Sequence, residues 1–294
     1  MLHDMDEKLN WIEVNGVGLR YAHRPGPGRR MVLIHEMGGS LESWSRVIKR
    51  LPPDVNVICH DMRGAGLSEK VIEACGIDTH VDDLRALLTA VNFGGPVTIA
   101  GIAVGAAVAI RYASRFATDV SHLIAMAPAC GVPAEAREAT RRRARDIAAQ
   151  GMRGDGAALF ERAFPEILRT DPALFAAYRC RWLATDSRSL GALYAMLADL
   201  DLSADLPRLP QRTVFVAGDH DPLRPPAEID RLAALAPQIE ALHVASGHFM
   251  STHSPRLVAT LLDKYSADTA SAASIYETFF ARPENRVGAS RHAA

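Results

Sequence analysis

Hydrophobic positions along the chain fall into two alternating rhythms. Met31-Val32-Leu33-Ile34 is a continuous apolar run ending at His35, which predicts a strand buried on both faces. Val55-Asn56-Val57-Ile58-Cys59, Val97-Thr98-Ile99-Ala100-Gly101, His122-Leu123-Ile124-Ala125-Met126, Thr213-Val214-Phe215-Val216-Ala217 and Ile239-Glu240-Ala241-Leu242-His243-Val244 follow as further strands. Ahead of them, Trp11-Ile12-Glu13-Val14 and Val17-Gly18-Leu19-Arg20-Tyr21 flank Asn15-Gly16, the signature of a hairpin. Stretches with a 3.6-residue period lie between the strands, over residues 41–51, 81–91, 104–116, 227–235 and 255–265. Strand and helix in alternation predict an α/β fold, a mostly parallel sheet covered on both faces, with the hairpin adding antiparallel edge strands.

The alternation stops between residues 133 and 206, where only helical periodicity continues. Breaks are expected at 151–156, at Thr170-Asp171-Pro172 and at Thr185-Asp186, Asp171 before Pro172 being a helix-start signal. The chain therefore divides into a core (residues 1–132 and 207–267), an inserted helical lid (133–206) and a tail (268–294). Such a lid would cover the C-terminal ends of the strands, where open α/β sheets bind ligands. In the tail, Ile275, Tyr276, Phe279 and Phe280 could form a short amphipathic helix, either a docking or homodimer contact or a frayed end.

Chemistry concentrates where strands end. Gly101-Ile102-Ala103-Val104-Gly105 takes a strand directly into a helix. It has the form of the G-x-S-x-G nucleophile elbow, with Ala103 in place of serine. After the preceding buried strand, His35-Glu36-Met37-Gly38-Gly39-Ser40 occupies the place of an oxyanion loop, so the amides of Met37 and Val104 are the candidate oxyanion donors. Glu36 stands where glycine is usual; it is read as a surface side chain, the alternative being a place near the pocket mouth. Asp61-Met62-Arg63-Gly64-Ala65-Gly66 follows the next strand, and Asp61 and Arg63 are expected to be a structural pair. Gly218-Asp219-His220-Asp221-Pro222 offers two acids, of which Asp221 has the better position and Asp219 competes. His248, in a glycine-flanked loop after the last strand, is the candidate base. Its order after the nucleophile position and the acid is the one an α/β-hydrolase uses.

On these motifs, residues 31–265 resemble the α/β-hydrolase superfamily. Gly151-Met152, Leu183-Ala184-Thr185-Asp186, the run from Asp199 to Pro207 and Gly218-Asp219-His220-Asp221-Pro222 look most like 3-oxoadipate enol-lactonases. The resemblance implies attack on a small ester or enol-lactone carbonyl followed by release with water, using no cofactor and no metal. A methyl group at position 103 cannot attack. Either a serine has been replaced in an otherwise intact site, the favoured reading, or the chain dispenses with the nucleophile. In the second case it would use His248 and Asp221 as a base in cofactor-free oxygenation or lyase chemistry, or act as a receptor.

Candidate substrate contacts are His35, Glu36, Tyr178, Arg179, Arg181 and Trp182, with the two arginines offered to a substrate carboxylate. The denser run Arg137, Arg141, Arg142, Arg143 and Arg145 reads instead as a solvated helix face. Among 294 residues, 48% are hydrophobic and 23% charged, and the net charge of −1 gives no reason to expect nucleic acid or an anionic membrane as partner. The polar N-terminus lacks an apolar core for export and the four cysteines lack CxxC spacing. A cytoplasmic protein with a small-molecule substrate is expected.

Overall fold

Asn15 and Gly16 have φ of 51° and 70°, the pair of left-handed residues that a two-residue hairpin needs. They join β1 (Lys8–Val14) to β2 (Val17–Arg24) at the edge of an eight-stranded sheet. This computed structural model describes residues 8–71, 73, 75–267 and 269–286. The other strands are β3 (Arg30–Ile34), β4 (Asn56–His60), β5 (Val97–Ile102), β6 (Val120–Met126), β7 (Arg212–Gly218) and β8 (Ile239–Val244), in the order β1-β2-β4-β3-β5-β6-β7-β8. The pairings β1–β2 and β2–β4 are antiparallel, and all later ones are parallel.

Alternate residues of the central strands face opposite sides. Met31 and Leu33 join one core with Trp44, Leu261 and Tyr265, whereas Val32 and Ile34 join another with Leu84, Val108 and Phe215. The first core is closed by a 3₁₀ turn (Leu41–Trp44), α1 (Ser45–Ile48), α9 (Met250–His253) and α10 (Pro255–Ala267). The second is closed by α2 (Ile77–Ala90), α3 (Val104–Arg115) and α8 (Pro226–Ala233). Burial on both faces is why these strands read as unbroken apolar runs.

Between β6 and β7 the chain forms α4 (Ala134–Gln150), a π-turn (Met152–Gly156), α5 (Ala157–Ala163), α6 (Pro172–Leu183) and α7 (Ser187–Asp199). The breaks fall where expected. Asp171 caps α6 by accepting from the Leu174 amide at 3.0 Å, and Asp186 caps α7 by accepting from Ser189 at 2.8 Å. Phe160 sits at the centre of an aromatic cluster, with Phe164, Phe175, Tyr178, Trp182 and Phe249 at ring separations of 5.6–6.0 Å. Because Phe249 directly follows His248, this cluster ties the lid to the loop carrying the candidate base.

In the tail, α11 (Ala272–Ala281) lies against its own chain: Ala272 and Ile275 are buried, and the Tyr276 hydroxyl accepts from the Ala245 amide at 3.0 Å. Residues 287–294 of that tail lie outside the described residues. Among the described residues no helix is long and apolar enough to cross a membrane.

Candidate active site

Ala103 has φ 52° and ψ −111°, a conformation that a residue with a side chain rarely adopts. Its amide donates to the Met126 carbonyl at 2.9 Å, and its own carbonyl accepts from Ala107 at 3.1 Å and Ala129 at 3.2 Å, so the main chain on every side fixes the turn. The flanking glycines are required by contact. A Cβ on Gly101 would stand 2.3 Å from the Gly105 carbonyl, and one on Gly105 would stand 2.4 Å from the carbonyls of Ile34 and His35. The result is a tight strand-to-helix elbow with residue 103 at its apex. Val104 is the first residue of α3, so its amide belongs to the group that a helix leaves without an internal acceptor.

The loop after β3 is held from beneath. The His35 Nε2 accepts from the Met62 amide at 3.0 Å, which leaves Nδ1 to donate to the Glu36 carbonyl at 2.7 Å. His35 is fully buried and belongs to the support of Met37 rather than to the substrate face. Asp61 supports the same loop. Its carboxylate accepts from the Leu41 and Leu67 amides and from Arg20 Nε, each at 2.7 Å. The expected Asp61–Arg63 pair does not form: Arg63 reaches instead to Asp83, with both bonds at 2.8 Å.

Glu36 departs from its expected surface position. It is 1% exposed, accepts from Ser43 Oγ at 2.7 Å and from the Tyr178 hydroxyl, and leaves Oε2 without a partner. Arg181 stacks over the Tyr178 ring and donates to Ser43 Oγ at 3.2 Å. A carboxylate from the core, a phenol and a guanidinium from α6 thus fasten the lid to the candidate oxyanion loop. Trp182 makes a second fastening: a Cβ on Gly38 would stand 2.4 Å from its ring, and its indole N–H donates to the Gly156 carbonyl at 2.7 Å.

His248 Nδ1 lies 2.8 Å from Asp221 Oδ2, while Asp221 Oδ1 accepts from the amides of Leu223 at 2.8 Å and Arg224 at 3.1 Å. Burial alone would raise the Asp221 carboxyl. The charge and hydrogen bond of His248, with the two amides, outweigh it and hold the group below its ordinary value. Asp219 is exposed, and partial desolvation leaves its carboxyl above its ordinary value.

Ala103, Val104, Met37 and His248 all line one cavity of about 310 Å³ beneath the lid. Trp182 also lines it, but Glu36, Tyr178, Arg179 and Arg181 do not. Glu36, Tyr178 and Arg181 are occupied with one another, and Arg179 pairs with Glu161 at 3.3 Å on the outside of α6. The arginines that do line the cavity are Arg143, Arg162 and Arg224, together with Tyr194 from α7. Arg143 therefore separates from its neighbours in sequence, of which Arg141 and Arg145 pair with Glu138 on the outer surface. One signal was available for Arg224, which follows the acid by three residues in the same loop.

The profile of the family described as serine aminopeptidase, S33, matches residues 26–251. Among curated relatives, monoacylglycerol lipase ABHD6 of Homo sapiens is 26% identical over 133 residues, 40% of this chain and 40% of the lipase. The 2-hydroxy-6-oxo-6-(2'-aminophenyl)hexa-2,4-dienoic acid hydrolase of Metapseudomonas resinovorans is 31% identical over 134 residues, 45% of this chain and 46% of that enzyme. The chain thus spans less than half the length of either. Among solved structures, the enol-lactonase of Burkholderia xenovorans LB400 superposes with a TM-score of 0.81 at 20% identity, over 88% of this chain and all of that one (100%). A thermophilic esterase of Thermogutta terrifontis gives 0.79 at 21% identity, over 92% and 100%. At these identities the two structures speak for the α/β-hydrolase fold.

Proposed function

Since the chain belongs to the serine aminopeptidase S33 family of α/β-hydrolases, we propose that its site is built to cleave a small carboxylic ester or lactone. The chemistry is that of a nucleophile, a histidine and an aspartate, with Ala103 holding the place of the nucleophile. The observation that carries this reading is the 2.8 Å His248–Asp221 pair opening onto the same cavity as a strained apex at φ 52°. A strained residue of this kind costs about 1–3 kcal/mol. That cost has a use where the apex must present an attacking atom to a carbonyl.

With serine at 103, the far nitrogen of His248 would take the hydroxyl proton as oxygen attacks. Asp221 would hold the Nδ1–H tautomer and favour the imidazolium. The amides of Met37 and Val104 would receive the negative charge that develops on the carbonyl oxygen. The histidine would then return its proton to the leaving alcohol, and water would release the acyl group by the same steps. With alanine the covalent step is impossible, and the site binds substrate without turning it over.

Restoring the oxygen tests the reading. Ala103→Ser is expected to raise hydrolysis of p-nitrophenyl esters by several orders of magnitude, since losing the serine of a related mechanism costs on the order of 10⁶ in turnover. No gain overturns the proposal. If His248→Ala then abolishes some other turnover of the unaltered chain, the histidine–aspartate pair works as a base alone; binding without turnover in either form makes the protein a receptor.

A further inference from the structure

Past residue 251, where the family profile ends, the chain adds α10, α11 and a last turn (Pro283–Arg286). Together with the end of α1 these wall a second cavity, a groove of about 530 Å³. Arg50 and Pro52 apart, every residue lining it lies beyond the profile, and it shares no residue with the cavity under the lid. Its size falls in the range of roughly 300–1,000 Å³ usual for small-molecule sites. Buried Ala259 and Ile275, with half-buried Ala270 and Phe279, give it a hydrocarbon base. Around that base stand four exposed cations, Arg50, Arg256, Lys264 and Arg282.

The charges do not balance. Asp263 is the one acid among the lining residues, and it is occupied by Arg29 at 2.5 Å and Lys264 at 3.2 Å. Among the described residues Arg50, Arg256 and Arg282 make no ion pair. Arg50 donates to the Arg46 carbonyl at 2.5 Å, and Arg256 reaches only the Glu284 carbonyl, at 3.5 Å. By contrast, Arg63 grips Asp83 through two bonds of 2.8 Å, the bidentate geometry of a satisfied pair. Burial and the charges of Arg46 and Arg256 hold the Arg50 guanidinium below its ordinary value, as expected where like charges crowd without a carboxylate between them. Asn285 adds an acceptor: its side-chain N–H donates to the Phe279 carbonyl at 2.7 Å, which leaves a buried Oδ1 with no donor.

Three guanidiniums and one bare acceptor above hydrocarbon narrow the ligand. A carboxylate offers two oxygens and no proton. A phosphate monoester offers three terminal oxygens, a charge of about −1.5 to −2 at neutral pH and, in its monoanionic form, a P–O–H for Asn285. Guanidinium forks match such oxygens and stay charged at any working pH. We propose that Arg50, Arg256 and Arg282, with Asn285, bind a free phosphate monoester whose short apolar group lies on Ile275 and Phe279. This site is independent of any chemistry at residue 103.

Calorimetric titration of the full chain in phosphate-free buffer, with hexyl phosphate, inorganic phosphate and hexanol, tests it. Hexyl phosphate is expected to bind about tenfold tighter or more than inorganic phosphate, and hexanol to show no saturable binding. Arg256→Met with Arg282→Met should weaken hexyl phosphate by about tenfold or more, and both positions are exposed, so the free protein should unfold as before. Phe279→Ser should weaken hexyl phosphate while leaving inorganic phosphate unchanged. Arg143→Met with Arg224→Met, at the cavity under the lid, should alter neither. Loss of binding in that second pair but not in the first would place the phosphate under the lid and overturn the proposal. Equal affinity for the three probes would overturn it as well. So would binding to phosphatidic acid vesicles without binding of hexyl phosphate, which would make the groove a membrane contact.

Discussion

At Asp221 one carboxylate serves three donors: the imidazole of His248 on one oxygen and the amides of Leu223 and Arg224 on the other. The amides fix the carboxylate, and the carboxylate fixes the ring. In the Ala103→Ser background, Asp221→Asn is therefore expected to lower kcat by about 10⁴ through the wrong tautomer. Asp219→Asn, at an exposed position, should have no comparable effect in the same steady-state assay. Asp61 is equally buried but serves stability. Asp61→Ala would leave the Arg20 guanidinium, 4% exposed, with Glu42 at 2.8 Å as its remaining partner and strip the Leu41 and Leu67 amides of their acceptor, and should cost about 2–4 kcal/mol in denaturant unfolding. That Ala103, Met37, Val104 and His248 would face one cavity, with Asp221 bonded to His248, was legible in sequence because each occupies a fixed offset from the end of a strand. The burial of Glu36 was not, since that of a lone glutamate depends on Tyr178, 142 residues away. Arg179 and Arg181 misled for a related reason: α6 carries apolar residues around most of its circumference, so its sequence does not reveal which face meets the cavity.

Among elements, the strand-to-helix junction of β5 and α3 is the most demanding. Gly105→Ala would push a methyl to within 2.4 Å of two carbonyls of the β3 end, both main-chain atoms that cannot turn away. A loss of about 1–3 kcal/mol or more is expected, measured as a lower denaturant midpoint at unchanged slope. The central strands were readable because burial on two faces writes itself as a run of apolar residues, and the lid breaks because Asp171 and Asp186 cap the helices they begin. Residues 41–51 read as one helix but divide into a 3₁₀ turn and a single α-turn. The Leu41 amide is drawn to Asp61 at 2.7 Å, a tertiary contact that local periodicity does not encode.

For the molecule as a whole, three histidines, His60 and His80 buried and His253 half-buried, pull stability down on acidification. Burial is the main cause in each: His60 and His80 are lowered from 6.5 to about 4, and His253 from 6.5 to about 3. His60 and His80 each have a ring nitrogen without a partner, and His253 has two. Unfolded, these rings bind protons below pH 6.5; folded, they refuse them until about pH 4. Their contribution is thus whole above pH 6.5 and drains away as the pH falls toward 4, by about 1.4 kcal/mol per pH unit for each proton taken up. Unfolding free energies measured across that interval should slope with the uptake of up to three protons, and a flat profile would contradict the buried neutral state of these rings. The apex at residue 103 is indifferent to all of this, and even to its own side chain, because glycines and main-chain bonds hold it. Alanine and serine codons, GCN and UCN, differ in a single base. A lineage carrying this chain stands one point mutation from a nucleophile, with no misfolded intermediate to pass through on the way.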